Sequence, residues 1–173
     1  MTRRILPALA ATLALGLPAA AQAQEISAAI HDRAGEVMGG ATATRTASGI
    51  MMIQISLVDA PAGVHGVHIH EVGDCSDEDF TSAGGHIAGD AEHGVFSPDG
   101  PHPGDLPNLH ANLEGEATVT YFNHLLTFDM LTDGDGAAIV IHEGDDNYAE
   151  QPSGGSGERL GCGVFRSLDE VVE

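Results

Sequence analysis

Residues 49–70, GIMMIQISLVDAPAGVHGVHIH, contain the pattern that decides the fold class. Ile53, Ile55 and Leu57 alternate with polar residues, which is the two-residue period of a strand with one buried face. The segment Asp59–Gly63 follows as a turn signal, because Asp, Pro and Gly each favour turn conformations. A second alternating segment then begins. The stretch therefore predicts two strands joined by a short turn.

The rest of the chain repeats this pattern of short apolar segments bounded by Gly, Pro, Asp and Asn, without a long 3.6-residue period. We predict strands at Glu25–His31, Glu36–Thr46, Gly49–Val58, Gly63–His70, Glu116–Phe122, Ala137–His142 and Gly161–Arg166. The fold class is therefore all-β. Two segments, Gly73–Leu109 and Glu143–Gly161, are predicted to be long loops, and loops of this length inside a compact domain are usually functional.

Length and charge limit the classes of function. The chain has 173 residues, which suits one domain. Six basic residues, all Arg, stand against 26 acidic residues and give a net charge of −20. This acidic excess excludes nucleic acid as an expected partner, since phosphate-backbone binding needs basic surface. The ten histidines are unusual for such a chain and suggest metal binding.

The N-terminus has the organisation of a secretory signal peptide. Residues 1–23, MTRRILPALAATLALGLPAAAQA, contain two Arg, an apolar run and a small-x-small ending. We predict cleavage after Ala23, which leaves residues 24–173 as the mature domain. The apolar run is short for a membrane-spanning helix and no second run follows, so we expect no membrane attachment after cleavage. An uncleaved anchor is the alternative. Cleavage removes two Arg and no acid, and so lowers the net charge from −20 by two, to −22.

Export also bears on the two cysteines, Cys75 and Cys162. In an oxidising compartment an even pair is most simply a disulfide. Two free thiols remain the alternative on the residues alone.

Histidines at strand ends form the first candidate metal set. His68 and His70 are separated by one residue at the end of a predicted strand, so both imidazoles lie on one face. His142 ends another apolar strand, where a lone imidazole needs a partner. In the first long loop, His86, His93, His102 and Asp105 provide three imidazoles and a carboxylate, a donor set that suits tetrahedral zinc.

Seven segments in order along roughly residues 25–166 combine these features. They are 63–71 (GVHGVHIHE), 73–75 (GDC), 82–86 (SAGGH), 93–94 (HG), 102–109 (HPGDLPNL), 140–143 (VIHE) and 157–163 (GERLGCG). Together they resemble the bacterial, exported copper/zinc superoxide dismutases. The resemblance implies a Greek-key β-barrel or sandwich, immunoglobulin-like, of about eight antiparallel strands with two long functional loops.

The resemblance also implies a role for each site residue. It assigns one copper per subunit to His68, His70, His86 and His142, and one zinc to His86, His93, His102 and Asp105, with His86 shared by both ions. Asp146, with Asp145 as the adjacent alternative, matches the carboxylate that joins two of the ligand imidazoles. Arg159 matches the arginine that guides the anion, and Cys75 and Cys162 match the family disulfide. After His86 this chain has Ile-Ala-Gly where the family commonly has an Asn/Asp-Pro pair, so we expect a tighter zinc loop.

The implied function is that of an antioxidant oxidoreductase. Copper cycling between Cu(II) and Cu(I) would convert superoxide to dioxygen and hydrogen peroxide, with His86 and Arg159 as the catalytic residues. The implied compartment is the periplasm, the substrate is the superoxide anion, and a homodimer is left open. The alternative is a non-enzymatic periplasmic copper/zinc-binding protein on the same fold, since fold alone does not dictate function. Such a protein needs neither Arg159 nor a shared His86.

Overall fold

A computed structural model describes residues 24–167, and the predicted signal peptide, residues 1–23, lies outside them. The described residues form nine strands, one 3₁₀ turn and one short α-helix. In chain order these are β1 (Glu25–Asp32), β2 (Val37–Arg45), β3 (Met51–Leu57), β4 (Gly63–His70), the 3₁₀ turn (Thr81–Ala83), β5 (Asp105–Ala111), β6 (Ala117–Asn123), α1 (Phe128–Leu131), β7 (Ala138–His142), β8 (Arg159–Val164) and β9 (Arg166–Ser167). The predicted all-β class is confirmed.

The strands form one antiparallel sheet in the order β5-β4-β7-β8-β1-β2-β3-β6, and β9 pairs with β1. The order is not sequential: β3 pairs with β2 and β6, whereas β4 pairs with β5 and β7. The end strands β5 and β6 approach each other, and the Tyr121 hydroxyl on β6 donates to the Asn108 carbonyl on β5 at 3.0 Å. The result is a nearly closed barrel of eight strands, as the Greek-key prediction expected.

Strand β5 corrects the predicted loop Gly73–Leu109, since the end of that segment is a strand. Pro107 and the polar residues around it are typical of a loop, which is why sequence patterns miss this strand. Pro is tolerated here because β5 is an end strand and its pairing with β4 is irregular between His65 and Val67. The buried side chains of Leu106 and Leu109 fasten the strand to the core.

The core lies inside the barrel and follows the predicted alternation. In β3, Ile53, Ile55 and Leu57 are buried and the intervening Gln54 and Ser56 are exposed. Strand β7 is instead buried along its whole length, because its outer face is covered by the loops. The side chains that point outward from β4 and β7 are therefore enclosed between the barrel and the loops, and this is where the histidines lie.

The predicted disulfide is present. Cys75 in the first loop is bonded to Cys162 on β8, and their Cα atoms lie 5.9 Å apart. The bond closes a separation of 87 residues and ties the first loop to the barrel. Strand β8 begins at Arg159, two residues before the predicted strand start, so the second loop ends at Glu158. Within residues 24–167, no helix has the length and apolarity needed to span a membrane.

Candidate metal centre

Three imidazoles come from two neighbouring strands. β4 and β7 pair so that His68 lies opposite Val140 and His70 opposite Ala138. Because side chains alternate along a strand, His142 points to the same side as His68 and His70. The ring centroids of His68 and His142 lie 4.7 Å apart, and those of His70 and His142 lie 6.0 Å apart. All three side chains are buried.

His86 joins this set from the first long loop. It forms an isolated antiparallel bridge with His70, which carries the loop back to the end of β4. The His86 ring centroid lies 4.0 Å from that of His68 and 5.0 Å from that of His70. The four imidazoles of His68, His70, His86 and His142 each offer a nitrogen atom, and these atoms lie within 4.8 Å of one another.

Within residues 24–167, three of these nitrogens are buried without a hydrogen-bond partner: Nδ1 of His68, Nε2 of His70 and Nε2 of His142. The opposite nitrogen of each ring is held, since Nε2 of His68 donates to Asp146 at 2.9 Å and Nδ1 of His70 donates to the Gly84 carbonyl at 2.9 Å. Nδ1 of His142 lies 3.3 Å from the Gly157 carbonyl. Leaving buried polar atoms unpaired is costly. Three such atoms that converge in one place fit a bound cation.

The charge state of the rings fits the same conclusion. Burial and, to a smaller extent, the nearby His86 lower the pKa of His70 to about 2. Burial and, to a smaller extent, the nearby His68 lower the pKa of His142 to about 3. Both rings are therefore neutral at physiological pH. Because their Nδ1 atoms face carbonyl oxygens and carry the proton, their Nε2 lone pairs are free to bind a metal.

A second cluster lies on the other side of His86. Oδ1 of Asp105 is 2.9 Å from Nδ1 of His86, 3.0 Å from Nδ1 of His93 and 3.2 Å from Nδ1 of His102. Nδ1 of His102 is 3.3 Å from Nδ1 of His86. A tetrahedral zinc site with metal–ligand distances of about 2.0–2.1 Å has ligand–ligand edges of about 3.3 Å. The four atoms are therefore spaced as zinc ligands are.

Asp105 is fixed by its second oxygen. Oδ2 accepts from the backbone N–H of Gly94 at 2.8 Å and of His102 at 3.0 Å, which turns Oδ1 toward the imidazoles. Burial alone would raise the pKa of Asp105, but hydrogen bonds from His86 and His93 outweigh it and hold the pKa well below its usual range. The carboxylate is therefore ionised and ready to bind a cation.

His68 also lies within 4.8 Å of the ligand atoms of His86, His93 and Asp105. Its two nitrogens are already committed, however, one to Asp146 and the other toward the first cluster. His102 completes the second cluster instead.

The Ile-Ala-Gly segment after His86 does not open this cluster. The Ile87 N–H donates to the Ile69 carbonyl at 2.9 Å, and the Ile87 carbonyl accepts from the Gly104 N–H at 2.9 Å. The Ile87 side chain is buried in the core. Ile87 thus anchors the loop between β4 and β5, and the expected tight loop still brings its ligand atoms together.

Asp146 links the two clusters. Its Oδ2 accepts from Nε2 of His68 at 2.9 Å and its Oδ1 accepts from Nε2 of His93 at 3.0 Å. Asp146 is buried, whereas the adjacent Asp145 is exposed, so the linking carboxylate is Asp146. Burial opposes ionisation, but hydrogen bonds from the two histidines hold the pKa of Asp146 below its usual range. The same hydrogen bonds, and those to Asp105, overcome the burial of His93 and raise its pKa to about 9.

Arg159 lies beside the first cluster and is half-buried. Its Nη1 donates to the Phe80 carbonyl at 2.6 Å and its Nη2 donates to the Gly84 carbonyl at 2.7 Å. The Gly84 carbonyl also accepts from His70, so one peptide group joins the guanidinium to the imidazole. The Arg159 charge contributes to the lowered pKa of both His70 and His142. The guanidinium keeps further N–H groups for an anion.

Two residues in contact with this centre escape sequence reasoning. The Asn108 side chain accepts from the Asp146 N–H at 2.9 Å and donates to the Asp146 carbonyl at 2.9 Å. Gln151 makes the same pair of contacts with the backbone of His93. No sequence pattern marks either residue, because their partners are 38 and 58 residues away.

The remaining four histidines lie outside both clusters. His65 is buried, with Nδ1 2.8 Å from the His142 carbonyl and Nε2 2.7 Å from the Pro61 carbonyl. His31 is partly buried, and His110 and His124 are exposed.

Comparisons with known proteins point to one family. The family model described as copper/zinc superoxide dismutase matches residues 37–165. A Cu-Zn superoxide dismutase of Caulobacter vibrioides is 37% identical over 140 residues, covering 76% of this chain and 80% of that protein. The crystal structure of a SOD-like protein from Bacillus subtilis matches with a TM-score of 0.73 and 36% identity, covering 80% of this chain and 96% of that one.

A Cu/Zn superoxide dismutase structure from Brucella abortus matches with a TM-score of 0.68 and 27% identity, covering 83% of this chain and all of that one. The family match covers most of the chain and includes every residue of both metal clusters. The chain belongs to the copper/zinc superoxide dismutase family.

Proposed function

We propose that this chain dismutes superoxide at a copper ion held by its first cluster, beside a zinc ion held by its second. The copper ligands are His68, His70, His86 and His142, and the zinc ligands are His86, His93, His102 and Asp105. The observation that carries the proposal is the set of three buried, unpartnered imidazole nitrogens that converge with His86. Imidazole nitrogens suit copper, and the tetrahedral N₃O set suits zinc.

Copper supplies the electron transfer when bound, since Cu(II) can take one electron from a first superoxide and Cu(I) can return it to a second. The overall reaction consumes two superoxide anions and two protons and yields one dioxygen and one hydrogen peroxide. The protein's part is to bring the anion to the site and to supply protons.

His86 serves both metals and can carry a proton. Its Nδ1 belongs to the zinc set, 2.9 Å from Asp105 Oδ1. Its Nε2 would serve the copper set, which requires the ring to lose both protons. Two flanking cations make that loss accessible near neutral pH. When no metal ion is bound to Nε2, that nitrogen can hold a proton, so His86 would be the proton donor to the reduced substrate.

Arg159 attracts and positions the substrate. A net charge of −20 repels superoxide at long range, so a local positive field at the site entrance must overcome it. Two of the guanidinium N–H groups are fixed on the Phe80 and Gly84 carbonyls, and in the described part of the chain the others remain for the anion. The ring of His70, held on the same Gly84 carbonyl, keeps the copper site next to the guanidinium.

Zinc has a structural task in this proposal. Three imidazoles and one carboxylate fill a four-coordinate site and leave no open position for catalytic water. The ion would join the first long loop to Asp105 at the start of β5. Asp146 accepts hydrogen bonds both from His93 in that loop and from the copper ligand His68, and so connects the two.

The purified mature protein, loaded with one copper and one zinc per chain, tests the proposal. We expect rapid catalysed decay of superoxide, and loss of that decay in His142→Ala, because the variant removes one of the unpartnered nitrogens. No catalysis at full metal occupancy would refute the enzyme and favour the non-enzymatic copper/zinc-binding protein. A shared His86 and an anion-binding Arg159 beside the copper set speak against that alternative.

The compartment and the assembly state belong to the proposal as well. The exported character of residues 1–23 supports a periplasmic protein that begins at Gln24 after cleavage. Mass spectrometry of the exported protein tests the cleavage site. Sedimentation of the metal-loaded protein tests whether it is a monomer or a homodimer.

A further inference from the structure

The backbone of His93 is held by a side chain from the other long loop. The Gln151 Oε1 accepts from the His93 N–H at 2.9 Å, and the Gln151 Nε2 donates to the His93 carbonyl at 2.9 Å. The two bonds run in opposite directions, as between two strands, so they fix both the position and the rotation of the His93 peptide groups. Nε2 also lies 3.0 Å from Ser97 Oγ and 3.2 Å from the Ala149 carbonyl, which are the acceptors in reach of its second N–H.

No strand or helix holds His93 in place. In the part of the chain that the structure describes, the hydrogen-bond partners of its backbone are the side chains of Gln151 and Ser97. The ring is oriented by carboxylates at both nitrogens, Asp105 at Nδ1 and Asp146 at Nε2. Gln151 is therefore the contact between the second loop and the His93 backbone, while Asp146 is its contact with the ring.

The two loops meet closely on either side of this contact. The Phe96 N–H donates to the Tyr148 carbonyl at 3.1 Å. Gly94, at φ 87°, lies so close to the Tyr148 carbonyl that any side chain there would collide with it. Gly154, at φ 66°, lies against the hydrogen bond between Asp146 and His93. Gln151 is exposed, and the hydrogen bonds of its carboxamide where the two loops meet are what determine its position.

We infer that Gln151 is a positioning residue for the zinc site, acting through the backbone of His93. By clamping that backbone it keeps Nδ1 of His93 beside Asp105 Oδ1 and Nε2 beside Asp146. The inference rests on the proposed assignment of His93 as a zinc ligand. Outer hydrogen-bond partners of metal ligands typically contribute 10- to 100-fold to metal affinity.

Gln151→Met tests the inference, because methionine keeps the length of the side chain and removes its hydrogen bonds. Gln54→Met is the matched control, since Gln54 is exposed on β3 away from both clusters. Zinc affinity is measured by chelator competition on the metal-free proteins. Cobalt(II) in place of zinc gives visible absorption bands that report the ligand geometry. The melting temperature of each metal-free protein reports general stability.

We expect Gln151→Met to bind zinc 10- to 100-fold more weakly than the unsubstituted protein and to change the cobalt bands, with Gln54→Met unchanged in both. Gln151→Asn keeps the carboxamide but shortens the side chain by one methylene, so it should also lower the zinc affinity. Equal zinc affinity and identical cobalt bands in all proteins would overturn the inference. So would a lowered melting temperature of metal-free Gln151→Met without a change in the cobalt bands, which indicates a merely structural role. If the unsubstituted protein itself fails to bind zinc at this cluster, the proposed function fails first.

Discussion

Gly154→Ala should damage the metal centre, whereas the neighbouring Gly155→Ala should not. Both glycines have φ 66°, in the left-handed region, so both substitutions carry the same backbone cost of about 1–2 kcal/mol. Their surroundings differ. A Cβ on Gly154 would overlap Oδ1 of Asp146 and lie 2.9 Å from Nε2 of His93, whereas a Cβ on Gly155 would find its nearest atom, Glu150 Oε2, at 3.1 Å.

The overlap at Gly154 determines the size of the effect. Either the second loop or the Asp146 carboxylate must move, and in both cases the hydrogen bond from His93 Nε2 to Asp146 Oδ1 is lost. A hydrogen bond to a charged group contributes about 1.5–3 kcal/mol. The same range corresponds to a loss of about 10- to 150-fold in zinc affinity, at 1.4 kcal/mol for each factor of ten. Gly155→Ala loses no such bond, because the end of the Glu150 side chain can move aside.

Competition with a chelator measures the zinc affinity of each variant. Thermal unfolding of the metal-free proteins measures their stability separately. Both variants should show a similar loss of stability from the backbone cost, with a further loss in Gly154→Ala. Only Gly154→Ala should lose zinc affinity. Equal zinc affinity in the two variants would refute the argument that Gly154→Ala breaks the Asp146–His93 hydrogen bond and that this bond strengthens zinc binding.

Three further predictions concern the anion, the disulfide and pH. Arg159→Ala should lower kcat/KM for superoxide at low salt by about tenfold or more while copper and zinc contents stay unchanged; an unchanged rate in stopped-flow decay contradicts the guiding role. Replacing Cys75 and Cys162 by Ser should lower the free energy of unfolding by about 4.6 kcal/mol for a loop of 87 residues, measured by denaturant titration, and an unshifted midpoint contradicts it. The metal-free protein should be most stable near pH 6.5. The raised pKa of His93, about 9, gives stability that is complete below 6.5 and is lost as pH rises through 9. The lowered pKa values of His70 and His142, about 2 and 3, make stability fall as pH drops below 6.5. Melting temperatures that rise steadily from pH 5 to 9 would be inconsistent with these signs.

Much of the fold follows from local pattern. The alternation of β3 and the turn after it are properties of neighbouring residues, and the structure has them where the sequence predicts them. Strand β5 escapes prediction because Pro107 and its polar neighbours favour a loop locally. Its strand conformation depends on pairing with β4, and the paired residues of the two strands lie 37 to 48 positions apart in the chain.

The candidate site divides in the same way. The sequence by itself determined the metal-binding chemistry: the His68 and His70 pair, whose common face follows from strand geometry, and the donor types of the first loop. Only the tertiary structure decided that Asp146 and not Asp145 links the clusters, that Arg159 is held on the Phe80 and Gly84 carbonyls, and that Gln151 clamps His93. The physical reason is the distance along the chain between the residues that interact. Side-chain direction along a strand repeats every two residues, whereas a hydrogen bond between loops tens of residues apart exists only once the barrel and its disulfide have brought those loops together.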